Sequence, residues 1–100
     1  MSTHYVSGRW RVKSGLEDRF VDAWEELAVW SETTLRSGTA RLLQSADDSS
    51  VFLGLWEFSS LEAIDAWREQ QGVRERLASL GGLVAQADSG DYELRVVVGG

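Results

Sequence analysis

An almost entirely apolar stretch, Val51–Phe58, constrains the fold of this 100-residue chain more than any other segment. A run of this length, with two Phe, a Trp and one charged residue (Glu57), is typical of a β-strand that is covered on both faces. Ser59 follows at once, and Glu62 stands three residues after it. That spacing predicts a capping box, in which each side chain accepts a hydrogen bond from the backbone of the other. We therefore predict a buried strand that turns sharply into a helix.

The predicted second helix places Trp67 on its buried face. Apolar residues at i, i+3 and i+6 form a stripe that begins at Leu61 and ends on this indole. A break near Gln71 and Gly72 is expected, with a shorter helical continuation over residues 73–80. The two glycines at 81 and 82 should end it. The stripe indicates that Trp67 packs over the preceding strand.

The N-terminal half repeats the same pattern of strand and capped helix. His4–Val12 alternates apolar and polar residues, which predicts a strand, and Gly8 within it suggests a bulge or the close approach of another group. A second capping box is predicted from Ser14 to Glu17. The helix that follows carries Trp24 on an apolar stripe spaced at i, i+4, i+8 and i+11 and should end between residues 30 and 35.

Three further segments complete the predicted topology. Residues 39–46 are expected to form a strand, residues 47–50 a hairpin turn into the apolar strand, and residues 91–98 a last strand. The order strand, helix, strand, strand, helix, strand predicts an α+β, ferredoxin-like split βαβ fold. An antiparallel sheet would carry both helices on one face, and the length indicates a single domain over residues 1–100.

The apolar strand raises a question about its second face. Leu53 and Leu55 alternate with Phe52, Trp56 and Phe58, yet the helices of this fold cover one side of the sheet only. A second copy of the sheet is the simplest cover for the other side. The sequence thus predicts a homodimer.

Composition excludes several classes of function. The net charge is −6 and the pI about 4.6, which argues against nucleic acid as a partner because phosphate binding depends on Lys and Arg. The chain has no cysteine, so disulfides, thiolate chemistry and cysteine-bound metals are not expected. No apolar run is long enough to span a membrane, and the first residues do not resemble a signal peptide. We predict a cytoplasmic protein.

Several of these motifs resemble the antibiotic biosynthesis monooxygenase family, whose members are dimeric α+β barrels. The resemblance lies in the end of the strand at Trp56 and Glu57, the Ser-x-x-Glu cap, the Ala-Trp-Arg triplet around Trp67 and the Val-Lys-Ser-Gly segment that ends at Gly15. It covers roughly residues 5–80. The family includes cofactor-free oxygenases of aromatic polyketides and haem-degrading enzymes, so it implies a pocket for a small aromatic molecule between sheet and helices and no cofactor.

The resemblance also implies which residues form that pocket. Trp67 is the predicted catalytic residue, since it would stack on a planar substrate and donate its indole N–H to an oxygen on which negative charge develops. The residues expected to contact the substrate share a position facing the same cavity, and they are Trp24, Gly8, Trp10, Val73 and Leu77. No metal ligand is predicted.

The sequence departs from both enzyme groups of the family at particular positions. Haem-degrading members have an Asn where Gly8 stands and a His near Leu77, so haem degradation is disfavoured. The polyketide oxygenases tend to carry an Asn at the position of Ala63 and a Tyr at that of Val73. A general base is not evident, because His4, the one histidine, is expected to be solvated before the first strand.

Three functions remain open from the sequence. The first is a cofactor-independent monooxygenase that acts on an aromatic, polyketide-like molecule. The second is a non-catalytic binding or auxiliary protein that uses the same pocket. The third is a structural dimeric domain in which all the indoles pack as core, as large aromatic residues at helical spacing usually do.

Overall fold

The computed structural model describes residues 3–99, so Met1, Ser2 and Gly100 of the predicted domain lie outside it. Four strands and three helices follow one another in the order predicted, with the second helix divided in two. The elements are β1 His4–Val12, α1 Glu17–Leu35, β2 Ala40–Gln44, β3 Val51–Phe58, α2 Leu61–Glu69, α3 Gln71–Gly81 and β4 Val84–Glu93.

The strands form one antiparallel sheet in the order β2-β3-β1-β4. The first and third strands are therefore the central pair, and Gly8 pairs directly with Gly54 at the middle of the sheet. This arrangement confirms the predicted α+β, ferredoxin-like split βαβ fold. Because α1 and α2 each connect strands of the same sheet, both can return over the same face.

One face of the sheet is covered by the helices and the other is open. On β3, Phe52 is 2% exposed whereas the adjacent Leu53 is 36% exposed. The ring of Phe52 lies 5.1 Å from that of Phe20 on α1, measured between centroids. The prediction of helices on one face is thus confirmed, and we call the side away from them the outer face.

The last strand lies earlier in the chain than predicted. We expected a strand over residues 91–98, but β4 is Val84–Glu93. It is an edge strand that pairs with β1 alone and has ten residues of which only Val84 and Gly90 are partly buried. An edge strand held mainly by backbone hydrogen bonds needs little apolar patterning. Residues 94–99 follow it outside any strand, and the amide of Leu94 donates to the carbonyl of Thr3.

Both predicted capping boxes are wrong in detail. The N-cap of α2 is Ser60, whose hydroxyl accepts from the amide of Ala63 at 3.0 Å, so the helix starts one residue later than the Ser59 box implies. At α1 the N-cap position is Leu16, without a side-chain hydrogen bond, after Gly15 at φ +86°. Glycine adopts a positive φ without strain, so the chain turns into the helix at Gly15 without the side-chain hydrogen bonds of the predicted box.

The break between the second and third helices falls at Gln70, one residue before the predicted site. Its backbone is extended, and its amide donates to the carbonyl of Trp67. The second strand is also shorter than the predicted 39–46. Within residues 3–99 no helix is long and apolar enough to cross a membrane.

The predicted turn over residues 47–50 is held by Asp48. Its carboxylate accepts from the hydroxyl and the amide of Ser50 and from the guanidinium of Arg11. These hydrogen bonds, those from Ser50 above all, lower the pKa of Asp48 to about 2. The turn therefore fixes the hairpin of β2 and β3 through a carboxylate that stays ionised at neutral pH.

Candidate functional site

The centre of the helix-facing side of the sheet is built around two glycines. A Cβ on Gly8 would lie 2.5 Å from Cη2 of Trp10, and one on Gly54 would lie 2.8 Å from Cζ3 of the same ring. The indole of Trp10 therefore lies across the space that two side chains would otherwise fill. Gly8 thus marks a close approach, one of the two interpretations of the sequence, while the bulge of β1 against β4 lies between Arg11 and Val12.

Aromatic rings from three elements meet beside these glycines. The ring centroid of Trp56 on β3 lies 5.6 Å from that of Trp24 on α1 and 4.9 Å from that of Trp67 on α2. Phe58 adds a fourth ring, 5.4 Å from Trp67. Most of these pairs are tilted, the geometry that aromatic quadrupoles favour. We call these four residues the aromatic cluster.

A cavity of about 220 Å³ lies between this part of the sheet and the helices. Its wall includes three indoles of the aromatic cluster, with Trp10 and the glycine pair toward the sheet. Of the six predicted site residues, Val73 is fully buried and does not line the cavity. The other five line it together: Gly8, Trp10, Trp24, Trp67 and Leu77.

The indole N–H of Trp67 is engaged within the protein. It donates to the hydroxyl of Ser31 at 3.0 Å, and Ser31 is completely buried. Ser31 lies four residues after Leu27 on the buried stripe of α1, so a hydroxyl among apolar positions was available in the sequence as an indication of a buried partner.

Trp56 has the opposite arrangement. It is 4% exposed and lines the cavity, and its indole nitrogen is enclosed with no hydrogen-bond partner among the described residues. Buried polar groups are nearly always paired, since leaving a donor unpaired costs its desolvation free energy. Trp56 was predicted as part of the buried strand but not as a site residue.

An ion pair adjoins the cavity at the edge strand. Arg68, which lines the cavity, donates through both terminal nitrogens to the carboxylate of Asp91 on β4, one of them at 2.8 Å. The hydrogen bond from Arg68 lowers the pKa of Asp91, and the same bond raises the pKa of Arg68. The guanidinium is thereby neutralised by its partner and braces α2 against β4.

Two titratable residues are among the described residues that line the cavity, Arg68, which is paired with Asp91, and Asp88. Asp88 contributes to the lining, but it pairs in register with Arg9, which alternates onto the outer face. His4 is not solvated before the strand as predicted. It is the first residue of β1, its side chain is 13% exposed, and its Nε2 lies 3.5 Å from a carboxylate oxygen of Glu93. Across residues 3–99, no three His, Asp or Glu residues are placed to hold a metal ion.

A second, more open depression of about 550 Å³ lies on the far side of Trp67, and we call it the groove. It is formed by the C-terminal end of α1, the segment after it, the end of β3 and one side of α2. Ala63, the position at which the resemblance implies an Asn, lines the groove and not the cavity. Trp67 lines both, so its indole separates the two spaces.

Comparison with known families gives one match. The model of a family described as antibiotic biosynthesis monooxygenase matches residues 3–78. That range includes β1 to α2 and most of α3, and hence every predicted site residue. A search of curated protein sequences found no significant match.

Solved structures resemble the chain over nearly its whole length. A variant of SnoaB, a cofactor-independent oxygenase from Streptomyces nogalater, superposes with a TM-score of 0.90 at 15% identity, covering 98% of each chain. A conserved protein from Methanosarcina mazei gives 0.80 at 14% identity over 95% of this chain and 93% of its own. A candidate antibiotic biosynthesis monooxygenase from Chloroflexus aurantiacus gives 0.77 at 20%, over 99% and 97%. At these identities the likeness shows a shared fold.

Proposed function

Because the chain belongs to the antibiotic biosynthesis monooxygenase family, we propose that it is a cofactor-independent monooxygenase of a small aromatic, polyketide-like molecule. The observation that carries the proposal is the cavity walled by Trp24, Trp56 and Trp67. Indole walls bind planar rings by stacking and burial. Exclusion of water leaves a substrate anion poorly solvated, which makes it a better electron donor to O₂. The similarity of fold to SnoaB supports the same class of reaction.

The size of the cavity narrows the substrate class. Its volume of about 220 Å³ is below the range of about 300–1,000 Å³ that is usual for pockets of drug-sized ligands. We therefore expect an aromatic molecule of one or two fused rings, or one ring of a larger molecule whose remainder projects past the edge strand.

Trp67 has a restricted role in this proposal. Its N–H is already donated to Ser31, so the predicted donation to a developing oxyanion would require that hydrogen bond to break. We propose that Trp67 contributes the face of its ring, held in place by Ser31. Oxyanion stabilisation by Trp67 stays a prediction that Trp67→Phe tests, because Phe keeps a ring and removes the donor.

Oxygen uptake with and without a filled cavity tests the proposal. Purified, chelator-treated protein is supplied with 1-naphthol, a 1,4-hydroquinone and an anthrone, without flavin or metal, and oxygen consumption is recorded. Leu77→Phe, which adds volume at the cavity wall, should reduce uptake at least tenfold. Leu61→Phe, on an exposed position of α2, is the matched control and should not. Absence of uptake by the unaltered protein with every substrate would contradict the oxygenase.

A binding protein without catalysis is the second candidate. It is favoured by the titratable residues that line the cavity within residues 3–99, which are Arg68, paired with Asp91, and Asp88, which shares the register of the outer-face Arg9. Neither is an evident base, and proton abstraction from the substrate needs one. This candidate predicts saturable quenching of Trp fluorescence by the same aromatics while no oxygen is consumed. Its partner class is the same small aromatic molecule.

We also propose that the protein is a homodimer formed through the outer face. Proteins of this family and fold often form dimers and bind small molecules. On the outer face Leu43 is 48% exposed and Leu53 36%, and the segment after β4 leaves Val96 and Val98 largely exposed. Apolar surface of this kind is typical of a protein–protein contact. A cytoplasmic location stays a prediction.

Light scattering coupled to gel filtration tests the dimer. Leu53→Arg should convert a species of twice the chain mass into one of single mass, because a guanidinium would be buried without a partner. Leu61→Arg is the control, since Leu61 is 50% exposed on α2, away from the outer face. A single-chain mass for the unaltered protein at micromolar concentration would exclude the proposed interface.

A further inference from the structure

Four indoles line the cavity, and their N–H groups have different surroundings. The N–H of Trp67 is donated to the buried hydroxyl of Ser31, so a ligand would have to break that hydrogen bond to use it. The nitrogen of Trp56 is enclosed by the protein, and a ligand oxygen has no position from which to accept its hydrogen. The fold therefore withholds both of these donors from the cavity.

The nitrogen of Trp24 is both unpaired and reachable. The side chain is 6% exposed, yet its nitrogen neither donates a hydrogen bond within residues 3–99 nor belongs to the unpaired atoms that the protein encloses completely. Buried donors are nearly always paired, because an unpaired one costs its desolvation free energy. The described chain supplies no acceptor for this donor, so a molecule in the cavity is the partner that it lacks.

The position of the Trp24 nitrogen relative to the glycine pair directs it at the cavity. A Cβ on Gly54 would lie 3.2 Å from this nitrogen, and both Gly54 and Gly8 line the cavity. Trp10, by contrast, turns the carbon atoms Cη2, Cζ2 and Cζ3 of its six-membered ring to the same two glycines. A side chain at position 54 would cover the nitrogen of Trp24, so glycine there keeps the donor open to a ligand.

We propose that Trp24 donates a hydrogen bond to the ligand, and that the acceptor is a carbonyl or phenolate oxygen attached to an aromatic ring. The inference rests on the proposed function for the location of the ligand in the cavity. An indole N–H is a donor only, so it requires an acceptor, and the aromatic wall favours one that a planar ring carries. The site would then select oxygenated aromatics over hydrocarbons of equal shape, since only the former pair the donor.

Indole NMR on the unaltered protein tests the donor directly. The five Trp residues give five indole N–H signals, and through-bond assignment in protein labelled with ¹³C and ¹⁵N identifies each of them without a variant. The probes are 1-tetralone and tetralin, which share a bicyclic skeleton and differ in the carbonyl. Their ring currents are alike, so the difference between them reports the hydrogen bond. We expect the Trp24 proton to lie further downfield with 1-tetralone than with tetralin.

Affinity gives the second readout. The protein should bind 1-tetralone about tenfold more tightly than tetralin, as expected of one hydrogen bond to a buried donor. Trp24→Phe, which keeps a ring and removes the donor, should abolish this preference. Trp30→Phe is the matched control on the same helix, outside the cavity wall, and should retain it. An unchanged preference in Trp24→Phe, or a tetralone-specific shift of another indole in place of Trp24, would overturn the assignment.

The outcomes separate this inference from the oxygenase proposal. Oxygen uptake without a tetralone-specific shift of the Trp24 signal would overturn the donor assignment alone. Such a shift without uptake of oxygen from any substrate would overturn the oxygenase and support the donor in a binding protein. Failure of both probes to bind would overturn the donor assignment, and oxygen uptake would then decide on the oxygenase by itself.

Discussion

The two faces of β3 have similar side chains and different surroundings. Phe52, Trp56 and Phe58 are buried beneath α1 and α2, whereas Leu53, between them on the outer face, is 36% exposed. The two apolar faces of this strand therefore have different roles. One face determines how the chain folds, because its own helices cover it. The other indicates what the folded chain contacts, because no element within residues 3–99 covers it.

The largest expected effect contrasts adjacent residues on these two faces. Phe52→Ala should lower the free energy of unfolding by about 3–5 kcal/mol, since it empties a core position against Phe20. Leu53→Ala should cost about 1 kcal/mol or less in dilute solution. Urea unfolding at several protein concentrations measures both. The Phe52 loss should not depend on concentration, whereas a Leu53 loss that grows with concentration would indicate its burial in a dimer. Equal losses in dilute solution would contradict the division into two faces.

A side chain added to the glycine pair, Gly8 and Gly54, should have the next largest effect on the free energy of unfolding. Gly54→Ala should destabilise the protein by about 1–3 kcal/mol, because its Cβ would lie 2.8 Å from the Trp10 ring and 3.2 Å from the Trp24 nitrogen. The same change should displace these rings and weaken binding of aromatic ligands. Gly81→Ala is the matched control, since a Cβ there meets no atom within 4 Å. Thermal unfolding measures the difference, and a neutral Gly54→Ala would show that the indoles can move aside freely.

Loss of the hydrogen bond between Ser31 and Trp67 should lower the free energy of unfolding by a smaller amount. Ser31→Ala leaves a buried indole N–H unpaired and should cost about 1–2 kcal/mol. Hydrogen exchange of the Trp67 indole N–H should accelerate in the same variant. Ser79→Ala, which removes an exposed hydroxyl bonded to the carbonyl of Glu75, is the comparison and should be nearly neutral. An unchanged exchange rate in Ser31→Ala would mean that the indole is held by packing alone.

The sequence predicted the order of the elements and the buried face of the sheet, because β3 and the stripes of α1 and α2 have strong apolar periodicity. It placed the last strand wrongly, because residues 94–98 have the apolar pattern of a strand while Val84–Glu93, an edge strand, does not. Two adjacent serines, Ser59 and Ser60, made the start of α2 uncertain by one residue. Strand pairing and cap geometry depend on tertiary contacts that local pattern does not contain.

The candidate site was predicted less completely than the fold. Periodicity and resemblance identified residues that share the cavity wall, but they gave no information on hydrogen bonding between residues distant in sequence. The pairing of Trp67 with Ser31 joins positions 36 residues apart, and the unpaired nitrogen of Trp56 follows from three-dimensional enclosure. Val73 shows the reverse case, a position that the resemblance implied and the fold buries away from the cavity.

The smallest expected effect is the dependence of the ion pair at the cavity edge on pH. Arg68 lowers the pKa of Asp91, so the unfolded chain binds this proton at a higher pH than the folded one. The stabilisation is then fully present above the usual Asp pKa of about 3.9 and is lost as the pH falls through the lowered value. Both side chains are about one-third exposed, so Asp91→Asn should cost at most about 1 kcal/mol at pH 7.

Unfolding of Asp91→Asn and the unaltered protein between pH 7 and pH 2 measures this contribution. The difference between them should be constant down to about pH 4 and then shrink toward zero, because the protonated carboxyl of Asp91 is then as neutral as the amide of the variant. Asp22→Asn, exposed on α1 and outside the pair, provides the baseline for general charge effects. A difference that persisted at pH 2 would mean that Asp91 contributes by packing against α2 and not by its charge. In that case Arg68 and Asp91 would stabilise the edge of the cavity through their packing contact and not through the attraction between their charges.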